Sequence, residues 1–196
     1  MMKLSPQTRL RLLGILPLLF FIAQGVHYWR IQQLGHMLWM CNIGNLVLAL
    51  GLFFEKPLLV RVAAIWTIPG LFIWFFYVVL AWGVFITSTL AHVGGIAVAA
   101  IALKTYRMDR NSWRYAFGWS LLVQLISRFV TAPELNVNLA HAVQPGFERT
   151  FPSYWMFWLA LIVATAIWLW LSGLLWRVVW PALEPSTTPA TGVSAR

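Results

Sequence analysis

Charge is scarce in this chain, and negative charge scarcest: 196 residues hold 5 Asp and Glu against 14 Lys and Arg, and charged residues are 10% of the whole. A surface so poor in ions cannot keep a compact monomer in water, which excludes an ordinary soluble domain. No carboxylate falls inside an apolar run, and no His-x-x-x-His pair exists, so the ligands of a hard or borderline metal centre are missing and no metal site is expected. The single cysteine, Cys41, excludes both an intrachain disulfide and a Cys-x-x-Cys-His haem attachment. No inverted repeat is visible, and only one apolar run carries an internal break, which argues against a transporter.

What the chain does have is apolar length. Hydrophobic residues make up 61% of it, in six runs at about 12–29, 36–54, 58–77, 83–103, 113–130 and 154–179, each near the ~20 residues that cross a bilayer. The expectation is an all-α, polytopic transmembrane bundle of six helices filling residues 1–180, with no soluble domain attached. The Pro- and Ser/Thr-rich stretch 181–196 reads as a disordered tail. A cleaved signal peptide is the competing reading of the first run, but residues 20–28 offer no small-residue cleavage pattern. Pro69-Gly70 is expected to kink or shorten the third helix. The net charge of +9 sits in the turns between runs, so it reports topology rather than a nucleic-acid partner. With a cytoplasmic N-terminus, 11 of the 14 basic residues fall inside and only Arg30, Arg128 and Arg149 outside. That distribution places both termini in the cytoplasm and the protein in the inner (plasma) membrane.

Polar side chains embedded in hydrocarbon are costly and mark function. Here they collect at one end once the runs alternate across the membrane: Gln24 and His27; Cys41, Asn42 and Asn45; Ser88, Thr89 and His92; Gln124, Ser127 and Arg128. Helical rise puts Cys41 about five residues into the second run and His92 about nine into the fourth, within ~6 Å of each other in depth. Cys41 with Asn45, Ser88 with His92, and Gln124 with Arg128 are i,i+4 pairs and share faces. A lone membrane cysteine commonly fills space, and asparagines commonly glue helices. What singles these residues out is their coincidence in depth and face across four helices. A thiol beside an imidazole is a nucleophile and base pair, and Asn42, Asn45 or Arg128 could hold a developing oxyanion. Ser88 and Thr89 are alternative nucleophiles, constrained by sharing a helix with His92.

At these residues the chain also resembles a known family. Trp39-Met40-Cys41-Asn42-Ile43, then Ala91-His92-Val93-Gly94-Gly95-Ile96, then Trp113-Arg114 resemble in order and spacing the YwaF-type integral membrane family, over roughly residues 36–179. The resemblance implies six spans, Cys41 as nucleophile and His92 as its partner. It extends to a eukaryotic cysteine-dependent phospholipid acyltransferase and, distantly, to androgen-induced fatty acid ester hydrolases. Ala91 departs from the serine of the family's Ser-His-Gly segment, and Val93 displaces the glycine by one residue. Glu134-Leu135-Asn136-Val137-Asn138 is loosely similar to the family's asparagine-containing loop.

A nucleophile ~7 Å below the helix end would meet the acyl ester of a phospholipid, so a membrane lipid is the expected partner and no cofactor is required. Water as acceptor gives hydrolysis, and a lysolipid gives transfer through a thioester. Two other classes stay open. A noncovalent haem could lie between His27 and His92, from the set His27, His36, His92 and His141, with Gly44, Gly94 and Gly95 making room. A noncatalytic lipid-binding or transporter-like scaffold would use Arg128 as a headgroup clamp.

Overall fold

The structure, a computed structural model, describes residues 5–82 and 85–182. These residues are helical nearly throughout, and no strand occurs among them. The helices are α1 (Pro6–Leu13), α2 (Ile15–Arg30), α3 (Met40–Phe53), α4 (Pro57–Tyr77), α5 (Ile86–Thr89), α6 (Gly95–Tyr106), α7 (Ser112–Val130) and α8 (Tyr154–Val179). Gly14 joins α1 to α2 in a helical conformation, so Pro6–Arg30 is one rod. A π turn at Leu90–Gly94 fuses α5 and α6 into a second.

Four helices are long and apolar enough to cross a membrane: Pro6–Arg30, Pro57–Leu80, Ile86–Tyr106 and Tyr154–Val179. The protein is therefore an all-helical membrane protein. The remaining two long elements differ in kind. α3 is strongly apolar but only 14 residues long, or ~21 Å at 1.5 Å per residue, short of a ~30 Å hydrocarbon core. α7 has the length, at 19 residues, but carries Arg114, Ser120, Gln124, Ser127 and Arg128. The run expected to begin at residue 36 begins as helix only at Met40, because Leu34–Leu38 winds as a tighter 3-10 turn. Gly83 and most of the 181–196 tail lie outside the described residues.

Local chemistry sets the ends. Pro6 and Pro57 open α1 and α4 at positions whose N–H has no helical partner. Ser5 and Ser153 accept hydrogen bonds from the N–H groups of Thr8 and Met156, capping α1 and α8. Pro69 neither stops nor shortens α4, which runs unbroken to Tyr77. Membrane helices tolerate such prolines when neighbours support the freed backbone.

α4 is the centre of the bundle, packed against α3, α6, α7 and α8. Its residues Val60, Val62, Ala63, Ala64, Ile65 and Trp66 are buried with Leu48, Leu52, Ala99, Ala102 and Leu103 from its neighbours. Two indoles fasten it: Trp66 Nε1 donates to the Ala116 carbonyl at 3.0 Å, and Trp176 Nε1 donates to the Ala64 carbonyl at 2.8 Å. Each satisfies a buried N–H that would otherwise cost about 1–3 kcal/mol. The outer faces stay apolar and open, with Leu19, Phe75, Leu125, Val163 and Val178 among the exposed residues. That is the surface lipid would cover.

Contacts between helix ends show that neighbouring rods run antiparallel. Arg11 meets Glu55, Arg61 meets Asp109, and Met108 N–H donates to the Trp180 carbonyl, all at one end. Asn138 meets Leu38, Met40 and Ser127 at the other.

Candidate active site

The second residue of α3 is Cys41, in its first turn rather than a full turn further in. It lines a cavity of about 10 Å³ with Gly44, Asn45, Trp66, Thr67, Gly70 and His92. That volume holds about one water. Cys41 and His92 come to it from different elements, α3 and the π turn, and Gly70 of α4 stands between them. A Cβ placed on Gly70 would lie 3.4 Å from Cys41 Cβ and 3.7 Å from His92 Cδ2. The absence of a side chain at Gly70 thus leaves space beside both residues.

The imidazole is oriented. Its Nδ1 lies 2.8 Å from the Ser88 carbonyl and 3.5 Å from Ser88 Oγ. A carbonyl only accepts, so Nδ1 carries the proton and Nε2 keeps its lone pair. Trp74 stacks over the ring, with centroids 5.8 Å apart and planes inclined by 18°. The π turn bearing His92 is a local widening of the kind often found at functional sites. Ala91, where the resembled family has serine, is buried, and the hydroxyl beside the imidazole comes from Ser88 instead.

The asparagines are built in firmly. Asn45 Nδ2 donates to both the Cys41 and Ala91 carbonyls, each at 3.0 Å, tying α3 to the π turn. Gly95 permits this, since a Cβ there would come within 2.9 Å of Asn45 Oδ1. Asn42 Nδ2 donates to the His36 carbonyl at 2.9 Å. The opposite amide oxygens, Asn42 Oδ1 and Asn45 Oδ1, are buried without a hydrogen-bond partner, as is Gln24 Oε1 from α2. Beside them stands Tyr28, whose hydroxyl interacts with the Asn42 and Gln24 amides. Sequence reasoning passed over Tyr28 in favour of His27, although its i,i+4 spacing from Gln24 was the available signal. It also drew no site residue from the third run, which supplies Thr67, Gly70 and Trp74.

Other polar residues go elsewhere. His27 packs against Tyr28 and Phe85, and Thr89 Oγ1 returns to the Phe85 carbonyl. The polar face of α7 belongs to a second network that anchors the loop 131–153. Gln124 donates to the Asn138 carbonyl and accepts from Trp158 Nε1, each at 3.1 Å. Arg128 donates to the Ala140 carbonyl and lies over the rings of Tyr154 and Trp155. Ser127 Oγ accepts from Asn138 Nδ2 at 2.9 Å. Asn138 also donates to the Leu38 carbonyl at 2.7 Å and accepts from Met40 N–H at 3.1 Å. It therefore caps α3 from a hundred residues away, one residue from Cys41. The loop pays for this reach in backbone strain, with Asn136, Asn138 and Leu139 at φ of 40°, 53° and 56°.

The four histidines hold separate partners: His36 accepts from Trp39 Nε1, and His141 Nε2 lies 3.1 Å from Thr131 Oγ1. Room for a macrocycle is taken as well. The side-chain space at Gly94, Gly95 and Gly44 is filled by Phe20, Asn45 and Trp66. The residues between His27 and His92 do not fit a haem.

Fold and cavity together define a helical membrane protein with an oriented histidine and a cysteine on facing elements. No family model, no curated protein and no solved structure matches this chain.

Proposed function

We propose that this protein is a six-span enzyme of the inner (plasma) membrane, both termini cytoplasmic, that cleaves or transfers lipid acyl esters through Cys41 and His92. The observation that carries the reading is that Cys41 and an oriented imidazole line one cavity beside Gly70. The resemblance to the YwaF-type family points the same way. The basic residues clustered where α1, α4 and α7 begin support the orientation. In a thin bilayer α3 could cross despite its length, and α7 could do so with its polar face turned inward.

His92 Nε2 takes the Cys41 proton as Sγ attacks the ester carbonyl. The tetrahedral intermediate collapses to a thioester, and the protonated imidazole returns its proton to the departing alkoxide. Water or a lysolipid hydroxyl, deprotonated by His92, then attacks the thioester and restores the thiol. The amide nitrogens of Asn42 and Asn45 already donate to backbone carbonyls, and Arg128 is engaged by the loop. Asn42 Nδ2 keeps a second N–H beyond its bond to the His36 carbonyl, and with the nearby Tyr28 hydroxyl it supplies the oxyanion donor. Asn42 and Asn45 position the backbone around the nucleophile. Trp74 covers the imidazole and must swing aside for a substrate, because the cavity admits only about one water.

The test is mass spectrometry of purified protein incubated with an acyl-chain chloroacetamide. The expected result is selective labelling of Cys41 that requires His92, together with phospholipid turnover lost in Cys41→Ser. Labelling no faster than that of a free thiol, or identical in wild type and His92→Ala, would overturn the proposal.

A further inference from the structure

A second cavity, of about 280 Å³, opens at the opposite end of the bundle between the start of α7 and the last turns of α8. Arg110, Arg114 and Arg177 line it. The lining includes one carboxylate, Asp109, and both of its oxygens are committed. Oδ2 takes Arg61 Nη1 at 2.6 Å, and Oδ1 accepts from the N–H groups of Asn111 and Ser112 at 2.8 and 2.7 Å. Glu55, the other acidic residue at this end among the described residues, pairs with Arg11. Among the described residues, then, no carboxylate pairs with the three arginines of the cavity. Three guanidinium forks around one space form a receptor for a phosphate, whose oxygens they match in geometry and charge.

The wall of the cavity says which phosphate. Arg177 sits at the end of α8, and Leu174 and Trp170 follow it up the helix toward the bundle centre. Leu171 between them and Ile167 beyond them continue the helix as exposed apolar surface. A charged mouth that grades into an apolar wall suits a ligand with an ionic head and a hydrocarbon tail. The volume lies just below the ~300 Å³ at which pockets enclose whole small molecules, so it suits a headgroup and leaves the chains outside.

We propose that this cavity binds the phosphate headgroup of an anionic phospholipid, with the acyl chains laid over Trp170 and Leu174. The site is independent of the Cys41 and His92 reading, and either can fail without the other. The test uses the full chain in neutral detergent, probed by native mass spectrometry with dioleoylphosphatidylglycerol, dioleoylphosphatidylcholine and sodium phosphate in separate arms. Wild type should retain phosphatidylglycerol at least ~10-fold better than phosphatidylcholine. Arg114→Gln with Arg177→Gln should weaken that retention about 30-fold, while Arg30→Gln at the far end leaves it unchanged. The labelling rate of Cys41 should not move in the double variant. Equal retention of the two lipids by wild type overturns the proposal without recourse to any variant. So does undiminished retention by the double variant, and so does retention of phosphate from the sodium phosphate arm as strong as that of the lipid, which would assign the cavity to a soluble phosphate.

Discussion

At the end where α7 begins, helices are tied by charge: Arg61 donates to Asp109 and to the carbonyls of Tyr106 and Arg107, and Arg11 meets Glu55. At the end where α3 begins, the ties are neutral, running from amide to carbonyl through Asn42, Asn45, Asn138 and Gln124. Both carboxylates of the ionic end are engaged, and what lies buried without a partner there is the hydroxyls of Ser112 and Ser172 and the indole N–H of Trp180; at the neutral end it is the amide oxygens of Gln24, Asn42 and Asn45. Unsatisfied acceptors are costly in a low dielectric. What sets the neutral end apart is that Asn45 lines one cavity there with Cys41 and an oriented imidazole. The difference separates a clamp from a site, and each variant below presses on one side of it.

The largest effect belongs to His92→Ala. If the neutral end is catalytic, removing the base should slow Cys41 alkylation by ~100-fold or more, while the apparent Tm in detergent changes little. A large loss of Tm with unchanged alkylation would make both ends structural.

Next comes Asn138→Ala, which deletes the remote cap of α3 and its bonds to Leu38 and Ser127, and puts alanine at a positive φ. A loss of about 2–4 kcal/mol is expected, read as a fall in Tm with faster hydrogen exchange across 131–153. Asn138→Gly, which accepts the φ but makes no bond, should recover roughly 1 kcal/mol of that.

The sequence revealed depth better than direction. Apolar runs and turn residues disclosed the membrane class and brought Cys41 and His92 to similar depth. Rotation about each helix axis is set by packing, which hydropathy does not encode. Gln124 and Arg128 therefore shared a depth with Cys41 but face the loop. Tyr28 was passed over, although its hydroxyl interacts with the Asn42 and Gln24 amides. The start of α3 was misjudged by four residues because an apolar 3-10 turn and an apolar helix have the same composition. Gly70 drew notice as a helix breaker, and its use as a gap became visible only with three elements around it.

Asp109 tests the ionic end. Burial alone would raise its carboxyl, but the N–H groups of Asn111 and Ser112, with Arg61 behind them, hold it below the ordinary value of 3.8. A depressed carboxylate stabilises the fold fully above its unfolded pKa, and the contribution fades as pH falls through the lower folded value. Wild-type Tm should therefore drop below about pH 4, and Asp109→Asn should remove that acid-dependent component. Asp109→Ala, which also uncaps α7, should cost about 1–2 kcal/mol at neutral pH, with Cys41 labelling unaffected.

The smallest change in stability carries the sharpest contrast. Gly70→Ala adds one methyl in ordinary van der Waals contact with Cys41 Cβ and His92 Cδ2. Nothing clashes, and an alanine inside a helix is favoured over glycine by ~0.5–1 kcal/mol, so Tm should rise slightly. The same methyl fills part of the small cavity that Cys41 and His92 line. Cys41 alkylation should then fall toward the rate of the His92→Ala variant. A residue kept for packing alone would be improved by this substitution in every respect. A rise in Tm without loss of Cys41 reactivity would therefore return Gly70 to the structural side of the comparison, and the gap beside it with it.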